Sequence, residues 1–253
     1  MTAFERLRRA TPARLDVGRA GSRPRTATLL DFRRAHAAAC DAVWSEWPDA
    51  FLAHLERLGF LVVSSAAPDR RTYILNPPLG RRLAPGEADR IRTASAVAQD
   101  TFTPTLSQRA REKKGAPPPG VQLVLSDGLS AMAGARHCDA VVPRLLDGLR
   151  TLAHAAVPVA VRNGRVAIGD EIARRAGAAL VVHLIGERPG LATADSLGCY
   201  LTYAPGPSTT DADRKCISNI HAAGLNPNEA AASIAGVARR ILDAQTSGTA
   251  LVL

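Results

Sequence analysis

The residue types that ordinarily do chemistry are present in this sequence but do not assemble into a familiar set. Ser130 lies in Gly128-Leu129-Ser130-Ala131-Met132, directly after an apolar run, which gives it the outline of a nucleophile elbow. The glycine that lets an elbow turn tightly is missing after the serine, although Asp170 and then His183 or His221 follow in an order that hydrolases use. Such an order arises often by chance. Ser130 therefore reads first as a helix cap, and a stand-alone α/β hydrolase using Ser130 is the alternative. His137 and Cys138 are adjacent, which on a helix sends their side chains in different directions. Cys216 and His221 are five apart in a segment that reads as a loop, a weak spacing for metal ligands. A dinucleotide glycine fingerprint, a phosphate-binding loop and an H-E-x-x-H metal helix are all absent. These motifs assign no catalytic residue and no metal ligand to this chain.

What stands out instead is a set of polar, glycine-punctuated turns that follow predicted strands. They are Ser126-Asp127-Gly128-Leu129-Ser130-Ala131, Gly164-Arg165-Val166-Ala167-Ile168-Gly169-Asp170 and Gly186-Glu187-Arg188-Pro189-Gly190-Leu191, with Cys216-Ile217-Ser218-Asn219-Ile220-His221 as a fourth. In open α/β sheets ligands lie beyond the carboxyl ends of the strands, where such loops converge. Glu187, in a turn bounded by glycines and far from any acid–base partner, suits hydrogen bonding to a ligand.

The elements that must carry these turns fall into three parts. Residues 1–28 are rich in Arg, Gly and Pro without sustained apolar periodicity, and read as a basic, flexible arm that either stays free or orders against a partner chain. Residues 29–119 read as a smaller, mainly helical region. Leu29, Phe32, His36, Ala39 and Val43 recur at helical steps, Pro48 interrupts, and Phe51, Leu55 and Leu58 resume the pattern. A short strand is expected over 60–63, and a helix over 87–111 with Ile91, Ala94 and Val97 aligned. Lys113-Lys114-Gly115 and Pro117-Pro118-Pro119-Gly120 mark a domain boundary. Residues 120–253 then alternate strand and helix. Strands are expected at 121–125, 157–161, 179–185 and 198–203, with a further extended piece at 165–168. Ser130, Asp170 and Asn226 are placed to cap helices, the last with Pro227 in its first turn and Glu229 behind it. The fold class is α/β: a mostly parallel, Rossmann-like sheet covered by helices.

Composition narrows the function classes. Hydrophobic residues make up 46% of the chain but aromatics only 4%, so the core must be built from Ala, Val, Leu and Ile. The net charge of +9 suggests a polyanionic partner, yet residues 1–34 hold nine arginines and three acids and so supply most of it. A basic module binding nucleic acid through residues 1–34 is disfavoured, because aromatics are not interleaved with the charge. The four cysteines form no C-x-x-C pair, which speaks against a zinc knuckle or a secreted disulfide framework. The longest apolar stretch, residues 178–185, contains His183 and is too short to span a bilayer. A soluble cytoplasmic protein is expected, with no membrane and no nucleic acid among its partners.

In their order, the four polar segments resemble the small (light) subunit family of ethanolamine ammonia-lyase. The resemblance extends upstream through Thr11-Pro12-Ala13-Arg14, Gly18-Arg19-Ala20-Gly21 and Leu79-Gly80-Arg81-Arg82-Leu83, and spans nearly the whole chain. Its most specific part is the Gly186–Leu191 turn combined with the segment opening at Cys216. Departures fall at Cys40, at Asn76 and Pro78, and between residues 90 and 120. The resemblance implies an adenosylcobalamin-dependent carbon–nitrogen lyase that converts ethanolamine to acetaldehyde and ammonia by radical chemistry. It implies a large-subunit partner in a hetero-oligomer, with the cofactor held between the two chains, and leaves a bacterial microcompartment open as the location. Three cofactor contacts carry over: Val166 along the corrin edge, Glu187 as a hydrogen-bond acceptor, and Cys216 at the cofactor's periphery. None of the six histidines has Asp two residues before it, so the lower cobalt ligand is not expected from this chain.

Overall fold

A computed structural model describes residues 2–11, 13, 15, 17–101 and 120–251 of the chain. The break at residues 113–119 lies outside the described residues. Among them, one sheet runs in the order β3-β6-β4-β7-β8-β9, and a short β5 pairs with the start of β4. The strands are β3 (Leu61–Ser64), β4 (Gly120–Ser126), β5 (His154–Ala155), β6 (Val159–Arg162), β7 (Ala178–Gly186), β8 (Leu197–Tyr203) and β9 (Arg214–Ile220). From β3 through β7 all pairings are parallel, and β8 and β9 extend the sheet antiparallel. The sheet is therefore mixed. Its edge strand β3 comes from before residue 119, so the mainly helical segment and the α/β segment share one sheet.

Helices cover both faces. α6 (Ala131–Arg150) and α8 (Pro227–Ala244) pack with α3 (Asp49–Arg57) over one side, burying Leu123, Leu125, Val182, Leu184, Cys199 and Leu201. α5 (Glu87–Thr101) and α7 (Val166–Ala176) cover Val124, Val161 and Val181 on the other. Alternate residues of each strand thus feed two separate cores, as the period-2 geometry requires. α8 starts where expected: the Asn226 side chain accepts from the Asn228 N–H, and Pro227 occupies the first turn. The N-terminal arm holds α1 (Ala3–Arg9) and a β1–β2 hairpin (Arg19–Ala20, Arg23–Pro24). α2 (Thr26–Trp44) forms as the helical spacing indicates, but Leu29 and Phe32 on its apolar face are exposed.

Several local expectations are corrected. Of residues 165–168 only Arg165 is extended, as the N-cap of α7, and Val166 opens the helix. Asn163, at φ 55°, and Gly164 end β6, and Ile168, Ile172, Ala173 and Ala176 then bury one helical face. A four-residue apolar alternation could not be told from the first turn of that helix. Asp170 lies inside α7 rather than capping it, and pairs there with Arg214 of β9. Ser130 stands at the N-cap of α6 but makes no capping bond. Cys216 lies in β9, not in a loop.

Candidate functional site

Two groups of polar side chains stand out, one at the carboxyl ends of the parallel strands and one on a face of the antiparallel half of the sheet. The first sits between β4 and β6. The helices that follow these strands, α6 and α7, depart to opposite faces of the sheet, which makes this the topological switch point where ligands usually enter. Here it is filled by the chain itself. Asp127 accepts from the Asn163 N–H at 2.9 Å and the Gly164 N–H at 3.1 Å. Arg70 of α4 (Arg70–Leu75) lies 3.6 Å from the Asp127 carboxylate and donates to the Gly128 carbonyl at 2.8 Å and the Val43 carbonyl at 2.7 Å. Tyr73 donates to the Gly164 carbonyl, and the guanidinium groups of Arg70 and Arg165 lie 4.9 and 4.6 Å from its ring centroid. Burial pushes the Asp127 carboxyl up to about 6, against the pull of Arg70 and of the Asn163, Gly164 and Gly128 N–H groups. Gly128 has φ 57°, and a Cβ there would come 2.1 Å from the Gly186 carbonyl oxygen, so only glycine lets β4 and β7 end so close together.

The second group lies on the α7 side of β7, β8 and β9. α7 packs over β4 and β7, leaving Cys216, Ser218 and Asn219 of β9 exposed beyond it. Glu187, just past β7, is half-buried. Its carboxylate accepts from the Ser196 hydroxyl at 2.5 Å and from the Asn219 N–H at 3.3 Å. Asn219 holds a left-handed backbone, φ 59°. A Cβ on Gly198 would come 2.8 Å from Glu187 Oε1, so this glycine makes room for the carboxylate. Tyr200 of β8 pairs with Cys216 of β9 in the strand register, so the two side chains share one side of the sheet. Desolvation raises the Tyr200 phenol to about 12, with Cys216 and Glu187 adding to it. The Cys216 thiol is likewise raised, by desolvation and by the Glu187 carboxylate, against a lowering hydrogen bond from Tyr200. At neutral pH the thiol and the phenol of this surface are thus both uncharged. Such a thiol is neither a nucleophile nor a ready metal ligand.

The structure brings the three sequence-derived site residues to one side of the sheet: Val166 half-buried at the start of α7, Glu187 at the end of β7, Cys216 exposed on β9. It does not assemble a hydrolase. Ser130 is fully buried and donates to the Ala194 carbonyl at 2.7 Å, whereas His183 is bonded to Ser126. His137 is spent on the Asp195 carbonyl at 3.0 Å. No group of three metal-ligating side chains occurs among the described residues. The sequence did not single out Ser196, beside Glu187, or Arg70, in the switch-point crevice, and it placed Asn219 in the fourth polar segment without giving it a role. Only His183 carried a signal, as the polar interruption of an apolar strand.

Fold and site together define an α/β domain whose switch-point crevice is closed by its own side chains and whose exposed polar surface lies on the sheet beyond α7. The sequence matches the family described as ethanolamine ammonia-lyase light chain (EutC) over residues 1–252. It is also 44% identical over 249 residues to a protein of Rhodopseudomonas palustris (strain BisA53) called ethanolamine ammonia-lyase small subunit, covering 97% of this chain and 88% of that one. The chain belongs to the ethanolamine ammonia-lyase light-chain family.

Proposed function

We propose that this chain is the small subunit of an ethanolamine ammonia-lyase, and that the α7–β7–β9 face holds one side of adenosylcobalamin against a large subunit. The observation that carries the cofactor reading is the convergence of Val166, Glu187 and Cys216, from three separate elements, on one side of the sheet. Their chemistry suits the rim of an amide-fringed ring. Glu187 offers a carboxylate with acceptor capacity beyond its two internal bonds, Val166 offers apolar contact, and Cys216 offers a neutral thiol. When bound, adenosylcobalamin supplies the radical chemistry that turns ethanolamine into acetaldehyde and ammonia. In this reading the described residues of this chain bind and orient the cofactor. The parallel half of the sheet reads as Rossmann-like, with its ligand face displaced from the crevice that Arg70 and Tyr73 occupy.

A large-subunit partner is supported by α2. Of its 19 residues only Ala42 is buried, and Leu29, Leu30, Phe32 and Trp44 are exposed. A helix so little packed gains little from its own chain and suits cover by another. No helix among the described residues is long and apolar enough to cross a membrane. The test is co-expression with a candidate large subunit and an ammonia-release assay with ethanolamine and adenosylcobalamin. Activity is expected from the co-assembled chains. Its absence from an assembled, cofactor-loaded complex would overturn the reading.

A further inference from the structure

The three side chains of that face sit on three different elements, and one buried residue connects the elements. We propose that His183 is a positioning residue that holds the first turn of α7, and Val166 with it, in place against the β7–β9 face. The proposal rests on reading that face as the cofactor contact.

The His183 ring is buried, with Nδ1 3.1 Å from the Val166 carbonyl oxygen and Nε2 2.7 Å from Ser126 Oγ. A carbonyl only accepts, so Nδ1 carries the proton, and Nε2 is left to accept from the Ser126 hydroxyl. Both ring nitrogens are satisfied and the tautomer is fixed. α7 meets the ring without slack, since a Cβ on Gly169 would come 2.6 Å from Nδ1. In the sheet, His183 lies opposite Tyr200, and Tyr200 lies opposite Cys216. Glu187 follows four residues later on the same side. One side chain therefore registers the element carrying Val166 against the strands carrying the other two contacts. The neighbouring positions Leu180, Val181, Val182 and Leu184 are all apolar and buried, so this strand does not need a polar residue to be covered. Burying an imidazole instead of a leucine costs desolvation, and what it gives in return is a directed bond to one carbonyl.

Two substitutions separate that bond from the rest of the side chain. His183→Asn can place an amide N–H where Nδ1 stands and so keeps the donor to Val166. His183→Gln can place an amide oxygen where Nε2 stands, keeping the acceptor for Ser126 but leaving only a methylene toward Val166. Each variant is assembled with the large subunit and read in two ways: amide hydrogen exchange of residues 166–169 without cofactor, and titration with adenosylcobalamin. The expected result is faster exchange and at least roughly tenfold weaker binding for Gln, with Asn within about threefold of the parent protein. Equal behaviour of the two variants, or unchanged exchange in Gln, overturns the proposal. Faster exchange with unchanged affinity overturns the link from α7 to the cofactor. Glu187→Gln in the same titration reads the face itself. If it leaves affinity unchanged, the reading of the face fails; if it weakens binding while the His183 pair behave alike, only the role of His183 fails.

Discussion

Glu187 is held in place by its own chain. The Ser196 hydroxyl and the Asn219 N–H fix its carboxylate, and Gly198 gives it room. Such preorganisation lowers the ordering cost of binding. Glu187→Gln keeps the shape and an oxygen for both internal donors, but removes the charge. Loss of one charge-assisted hydrogen bond is expected to cost about 1.5–3 kcal/mol, or roughly ten- to hundredfold in cofactor affinity. Turnover at saturating cofactor is expected to change less, since no proton transfer is assigned to this side chain. Titration of the reconstituted complex, with saturated turnover measured alongside, checks both. His183 and Asp127 give the fold opposing responses to pH. Burial lowers His183 to about 4, so between about 6.5 and 4 the unfolded chain takes up a proton that the folded chain does not, and stability falls as pH falls. Asp127 is raised to about 6, so the folded chain keeps its proton longer, and stability falls as pH rises from about 4 to 6. His183→Asn removes only the first response. The stability advantage of the parent protein over this variant should shrink by about 3 kcal/mol from pH 7 to pH 4, read from urea unfolding at the two pH values.

At the scale of elements, the switch-point crevice is closed by a short helix whose buried Arg70 neutralises Asp127. Removing one member of such a pair leaves an uncompensated buried charge. Arg70→Met is expected to destabilise the fold by about 3–5 kcal/mol, read from the urea midpoint, and Asp127→Asn in the same background should recover part of the loss. Gly128→Ala is expected to cost at least about 2 kcal/mol, from its left-handed backbone and from the contact with Gly186. The strands and major helices were legible in the sequence because their apolar periodicity is strong. Residues 179–185 are apolar except for His183, and Ile234 and Ile241 mark a helical face that the structure buries. Short pieces were not legible. Val166 to Ile168 fits either period, and Cys216 was hidden because β9 alternates buried and exposed residues with no apolar run. The antiparallel turn of β8 and β9 was equally hidden, since pairing direction leaves no mark on a single strand. Arg70 and Ser196 act through partners 58 and 9 residues away, and such contacts appear only once the chain is folded.

The whole molecule reads as one half of a site. On the proposed reading its described residues supply part of a cofactor surface and no acid–base pair beside it, and α2 leaves Leu29, Leu30, Phe32 and Trp44 exposed. The isolated chain is accordingly expected to release no ammonia from ethanolamine, even with adenosylcobalamin present. Measurable release from the purified chain, free of large subunit, would contradict this. In the proposed function the face formed by α7, β7 and β9 touches the cofactor. Amide hydrogen exchange of the assembled complex, with and without adenosylcobalamin, tests it most directly. Cofactor-dependent protection is expected at residues 165–168, 186–189 and 215–219, with none around Arg70 and Tyr73 in the closed crevice. Protection at the crevice, with none at those three segments, would contradict it.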